Sequence, residues 1–162
     1  MNPDATLLQR FVEYAQAFEK TYVDDDWTRL EPYFAPDAVY RVVGSILWDC
    51  EVRGCPQVLA AIRKFVNEFD RKCTRTVRPT GAPLVGADSL RVTGVATYTR
   101  GDSDELALHI EMIAQYRDGL IIRLSRRLGR RERSAPARLD RALGAGPAAV
   151  VHVTLRHFAA RV

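Results

Sequence analysis

The sequence predicts a small α+β domain in which helices cover a curved antiparallel sheet. Two observations carry this. Residues 18–48, FEKTYVDDDWTRLEPYFAPDAVYRVVGSILW, run from an amphipathic helix through three acidic residues into a short helix headed by Trp27. The same stretch breaks at Ala35-Pro36-Asp37 and opens an aromatic strand at Val39-Tyr40 that reaches toward Trp48. Beyond it, a second amphipathic helix is followed by strand-like runs divided by tight turns.

The first helix starts near Asn2-Pro3-Asp4 or at Thr6, where Thr6-x-x-Gln9 has capping-box form. Leu7, Leu8, Phe11, Ala15, Phe18 and Tyr22 then fall at helical spacing and make one apolar stripe. Asp24, Asp25 and Asp26 are placed to cap the short helix at Trp27, which Pro32 holds to a turn or two. Their adjacency does not suit a hard-cation loop, whose ligands alternate around a glycine turn.

Strand one covers Ala38–Val43, and Gly44 begins a loop or second edge strand carrying Trp48. Gly54-Cys55-Pro56 launches the second helix, with proline where a missing N–H costs nothing. Val58, Ile62, Phe65, Val66 and Phe69 form its buried stripe, while Arg63, Lys64, Glu68 and Asp70 are expected to face outward. Strands at Thr74–Arg78, Leu90–Thr99 and Leu106–Arg117 follow, and Leu120–Leu124 returns from the Asp118-Gly119 turn as the closing strand.

With 162 residues the chain suffices for one domain that buries about two-thirds of its unfolded surface. A hydrophobic content of 47% with 27% charged residues is that of a soluble globular protein. No apolar run nears the roughly 20 residues of a membrane helix. The N-terminus lacks a secretory layout, so a cytoplasmic location is expected. Cys50, Cys55 and Cys73 are an odd set without Cys-x-x-Cys spacing, which argues for free thiols and against a thiolate zinc site.

The net charge of +4 is unevenly spread. Residues 126–162 hold nine arginines against Glu132 and Asp140, whereas the rest of the chain carries 15 basic and 18 acidic side chains. Of the 21 residues 129–149, 16 are Ala, Arg, Gly or Pro, a composition unable to offset its own ordering entropy. The chain therefore divides into a domain over 1–128 and a basic appendage over 129–162, with one late strand at 150–158. Without aromatic interleaving the arginines argue against nucleic acid as a partner.

The order of helix, Trp27-headed short helix, Phe34-Ala-Pro-Asp-Ala-Val-Tyr40, Gly54-started helix and hairpins ending Tyr116-Arg-Asp-Gly119 resembles the nuclear transport factor 2-like superfamily, in particular its SnoaL-like polyketide cyclase group. That resemblance spans about residues 5–128. It implies an α+β cone: a strongly bent antiparallel sheet wrapped around the long N-terminal helix, a pocket at the open end, and a homodimer through the sheet.

Thr21-Tyr22, Asp24-Asp-Asp-Trp27, Tyr40-Arg41 and Trp48 resemble scytalone dehydratase-type proteins in order and spacing. The resemblance implies that Tyr22 and Tyr40 are catalytic and hold a water against a substrate carbonyl. The family's aspartate and histidine positions fall here on Val23, Arg78 and a site near Ala96. The steroid isomerase positions fall near Phe18, Val42 and Met112, all apolar. A limonene epoxide hydrolase-like site would need an Asp–Arg–Asp arrangement that the sequence does not place.

Helical and strand periods bring Tyr14, Phe18, Tyr22, Tyr40, Val42, Trp48 and Met112 to one interior, with Arg78 near its mouth. Such walls suit a flat, mostly apolar cyclic ligand with one or two oxygens. Alternation along residues 106–117 sends Met112 inward and His109 and Glu111 to the convex or dimer face. A one-residue slip would make those two the best acid/base pair available. No metal, nucleotide or organic cofactor motif is present. The expected function is binding of a small hydrophobic cyclic ligand, with lyase, cyclase or isomerase chemistry on a polyketide, phenolic or terpenoid substrate. A non-catalytic ligand carrier or dimerisation module of the same fold is the alternative.

Overall fold

The computed structural model describes residues 3–45, 49–102 and 105–130. Helix α1 spans Pro3–Asp24 and a 3₁₀ helix spans Trp27–Tyr33. Strands β1 (Phe34–Val43) and β2 (Cys50–Arg53) precede helix α2 (Cys55–Glu68). Strands β3 (Thr74–Pro79), β4 (Leu84–Val85), β5 (Ser89–Thr99), β6 (Leu106–Arg117) and β7 (Leu120–Arg130) complete the domain. Among the described residues no helix is long and apolar enough to cross a membrane.

The sheet runs β2-β1-β7-β6-β5-β3, with β4 beside β5. It is mixed, not wholly antiparallel as expected. β1 and β7 pair in parallel, with Tyr40 opposite Leu124 and Val42 opposite Arg126. All the intervening chain joins these two strands, so no hairpin dictates their direction. The register slips between Phe34 and Val39 on β1 and between Gln115 and Tyr116 on β6. Such irregularities bend and twist a sheet locally.

Two ends differ from the sequence reading. β1 begins at Phe34, four residues before its predicted start, and β7 continues six residues beyond Leu124. The expected domain boundary at 128 thus falls inside β7, and the appendage from residue 131 onward, with its late strand, lies outside the described residues. The arginine-rich composition hid the strand's last turn of alternation: Leu124 and Leu128 are buried and Arg126 lies between them on the same face.

Alternation decides the core. Along β6 the even residues point inward against α1 and α2, and Phe11, Tyr14 and Tyr22 of α1 join Val58, Ile62, Phe65 and Val66 of α2 in one cluster. Burying a side chain of this size removes roughly 1.5–3 kcal/mol of exposure each.

Asp26 makes no side-chain cap on the 3₁₀ helix. The acidic triplet instead ties the helices together. Asp25, at φ +62°, accepts from Trp27 Nε1 at 2.7 Å, Arg63 at 2.7 Å and Arg71 at 2.9 Å. Gly44 ends β1 at φ +74°, where a β-carbon would collide with the Leu128 carbonyl.

Candidate functional site

The two helices and the inner face of the sheet leave a cavity of about 150 Å³. Its walls are mostly apolar. α1 contributes Phe11, Tyr14, Ala15 and Phe18, α2 contributes Ile62, and the sheet contributes Val77, Pro79, Val92, Ile110, Met112 and Leu124. Tyr40, Glu19, Arg75, Thr93 and Arg126 supply the polar side chains.

One wall carries a chain of charges. Arg75 Nη2 donates to both Glu19 oxygens, at 3.1 and 3.2 Å. Its Nη1 lies 3.8 Å from Asp70 Oδ2, and the Tyr98 hydroxyl donates to Asp70 Oδ1 at 3.0 Å. Asp70 is 1% exposed, so burial pushes its carboxyl pKa above the ordinary range, against the pull of Arg75 and Arg126. Burial likewise raises Glu19, and Arg75 opposes the rise. The Arg75 guanidinium lies 4.6 Å from the Tyr22 ring centre and 5.8 Å from that of Phe18, which fixes it between helix and sheet.

The opposite strands bring Tyr40 and Arg126 together. Tyr40 is 1% exposed, and its hydroxyl has no hydrogen-bond partner among the described residues. Burial raises its pKa, partly offset by the Arg126 charge beside it. Arg126 sits over the Phe65 ring at 5.2 Å. Burial works against its charge, yet Tyr40, Tyr98 and Asp70 outweigh that and hold it protonated.

Of the residues expected at the site, Tyr14, Phe18, Tyr40 and Met112 line the cavity. Tyr22 does not: it packs behind Arg75, where burial raises its hydroxyl to about 12. Val42 shares the inner face but is packed in the core. Arg78 points outward, because its strand neighbours Val77 and Pro79 take the inward positions. Trp48 lies outside the described residues. His109 is exposed and Glu111 pairs with Arg91 on the outer face, so β6 keeps the expected register.

Four polar residues of the interior were not foreseen. Asp70, expected to face solvent, is buried because the 3₁₀ turn Asp70–Lys72 redirects the chain after α2. Glu19 lies one turn past Ala15 on the apolar stripe, and Arg75 alternates with Val77. Arg126 alternates with Leu124 and Leu128. These periods were readable, but a charge on an apolar stripe reads as its edge until a partner is known.

No family model and no curated protein matches the sequence. Solved structures do. An NTF2-like protein from Burkholderia pseudomallei superposes at TM-score 0.60 and 15% identity, over 75% of this chain and 88% of its own. The fold is that of the nuclear transport factor 2-like proteins. A candidate isomerase from Rhodopseudomonas palustris shares this nuclear transport factor 2-like cone at TM-score 0.58 and 14% identity, over 75% and 90% of the two chains. An LEH-like epoxide hydrolase from M. tuberculosis does so at TM-score 0.52 and 14% identity, over 75% and 84%. Within the nuclear transport factor 2-like frame, the Glu19–Arg75–Asp70 chain is a carboxylate–guanidinium–carboxylate arrangement assembled from α1, β3 and the turn after α2.

Proposed function

We propose that this chain binds a small cyclic oxygenated molecule and moves a proton on it without metal or organic cofactor, as an isomerase or lyase. The observation that carries this reading is a half-buried carboxylate, Glu19, at the wall of a mostly apolar cavity, backed by Arg75 and the buried Asp70. An apolar cavity of about 150 Å³ accommodates a single benzene-sized ring. A phenolic or monoterpenoid substrate fits that scale, and a polycyclic polyketide would need a wider chamber.

Glu19 is the group to take a proton from carbon beside a carbonyl, since burial has raised its proton affinity toward that task. The electron pair moves onto the carbonyl oxygen, where the Tyr40 hydroxyl donates a hydrogen bond to the developing charge. Glu19 then returns the proton at the conjugated carbon for an isomerisation. For a lyase, the enolate electrons instead re-form the carbonyl and a Cα–Cβ double bond while a hydroxyl leaves the β-carbon, taking the proton held by Glu19 and departing as water. Tyr14 replaces Tyr22 as the second phenol at the cavity. Arg75 and Asp70 position Glu19.

Ligand carriage is the second reading, favoured by one observation: Arg75 already donates to both oxygens of Glu19. The homodimer would use the convex face that carries His109, Glu111 and Arg91.

Proton exchange separates these readings. Cyclic enones that raise the melting temperature are incubated with the full chain in D₂O, and deuterium uptake is followed by NMR. An enzyme accelerates uptake beside the carbonyl, and Glu19→Gln removes about 10²–10⁴-fold of it while ligand binding persists. Binding with no acceleration of exchange rejects the catalytic reading and leaves carriage.

A further inference from the structure

The interior holds two carboxylates and two guanidiniums, so its formal charges cancel. Their distribution does not. Glu19 and Asp70 both face Arg75, at 3.1 and 3.8 Å. Arg126 has no carboxylate within ion-pair distance among the described residues, and its Nε is buried there with no hydrogen-bond partner. Beside it the Tyr40 hydroxyl is equally buried and near enough to the guanidinium to interact with it, yet it completes no hydrogen bond of good geometry among the described residues. Both groups belong to residues that line the cavity.

Arginine cannot escape this situation by losing its proton. A buried donor without an acceptor is destabilising, and more so when it carries a charge. Stacking on Phe65 satisfies the face of the guanidinium but leaves the Nε–H without an acceptor. A neutral carbonyl would supply one acceptor. A carboxylate supplies two oxygens in the plane that the guanidinium fork matches, together with the opposite charge. A phosphate would ask for more cations than this end of the cavity provides.

We propose that the ligand is a monocyclic carboxylic acid whose carboxylate is held by Arg126, which leaves the Tyr40 hydroxyl beside it for the reacting carbonyl. This rests on the small-molecule reading of the cavity and narrows its substrate class. The ring lies against Phe11, Phe18 and Met112, and the charged end lies against β1 and β7.

Calorimetric titration of the full chain with benzoate and cyclohexanecarboxylate, against the neutral isosteres benzamide and benzyl alcohol, tests it. The acids are expected to bind about tenfold or more tighter than the isosteres, the range of a charge-assisted pair over a neutral one. Arg126→Gln should remove that preference and leave benzamide within about twofold. If Arg126→Gln does not fold, the comparison of acids with isosteres on the native chain still decides. Isosteres that bind as tightly as the acids overturn the carboxylate assignment and leave the cavity reading standing. Benzoate affinity unchanged in Arg126→Gln overturns it as well. If neither series binds, both readings fall.

Discussion

The Arg75 guanidinium bridges Glu19, 56 residues earlier on α1, to Asp70 in the turn after α2, and so joins three elements at one buried cation. Neither carboxylate has a second guanidinium within ion-pair distance among the described residues. The bridge therefore fixes both the shape and the charge of that wall.

Replacing Arg75 by Leu leaves the buried Asp70 and the half-buried Glu19 without their cation. Removing one member of a buried ionic cluster costs about 3–5 kcal/mol, and urea unfolding at neutral pH should read a loss of that size. Part of it should return as the pH falls and the carboxylates take protons. A loss below about 1 kcal/mol would mean that the wall is held by packing alone.

Stability should fall on the alkaline side of the carboxylate range. Asp70 and Glu19 bind protons more tightly folded than unfolded. Their contribution is fully present below the unfolded pKa and is lost as pH rises through the folded values. Asp24, held at about 2 chiefly by its hydrogen bond from Arg29, acts oppositely: its contribution is present above the unfolded pKa and lost as pH falls toward 2. Between about pH 4 and 7, Asp70→Asn should therefore gain stability relative to the native chain, whatever its offset. Parallel denaturation midpoints across that window would refute the assignment to Asp70.

Tyr40→Phe and Tyr22→Phe should separate in function. Each removes a buried hydroxyl with no partner among the described residues, so each should leave stability unchanged or raise it by up to about 1 kcal/mol. Only Tyr40 lines the cavity. Ligand affinity or turnover should drop in Tyr40→Phe and stay within about twofold in Tyr22→Phe. Equal losses in both would place Tyr22 back at the site.

Gly44→Ala should cost about 1–3 kcal/mol, since it combines a left-handed backbone with a collision against β7. Thermal unfolding should show it as a lower melting temperature, whereas an unchanged one would mean that the β1–β7 junction yields easily.

Most of the fold was legible because helical and two-residue periods survive in single residues. Val58, Ile62, Phe65 and Val66 on α2, and Ile110 and Met112 on β6, lie where their spacing sets them. The parallel partnership of β1 and β7 was not legible, for nothing local encodes which strand lies beside the first. The cavity's phenols and apolar walls were half legible. Its charges were not, because Arg75 meets Glu19 across 56 residues and Arg126 is held charged partly by the equally distant Asp70. A lone sequence carries no mark of such distant compensation, and each charge alone reads as solvated.

The parallel pairing of β1 with β7 also sets an order of events during synthesis. The first strand emerges with its eventual neighbour still some 80 residues from being made, and β2 is the only sheet partner then available to it. Contacts of such large sequence separation form slowly and late. The cavity gains its Leu124 and Arg126 wall in that same step, so binding competence and completion of the sheet become one event. A nascent chain stalled before residue 120 would hold both helices and β1–β6 and would still lack the Leu124 and Arg126 wall of its cavity.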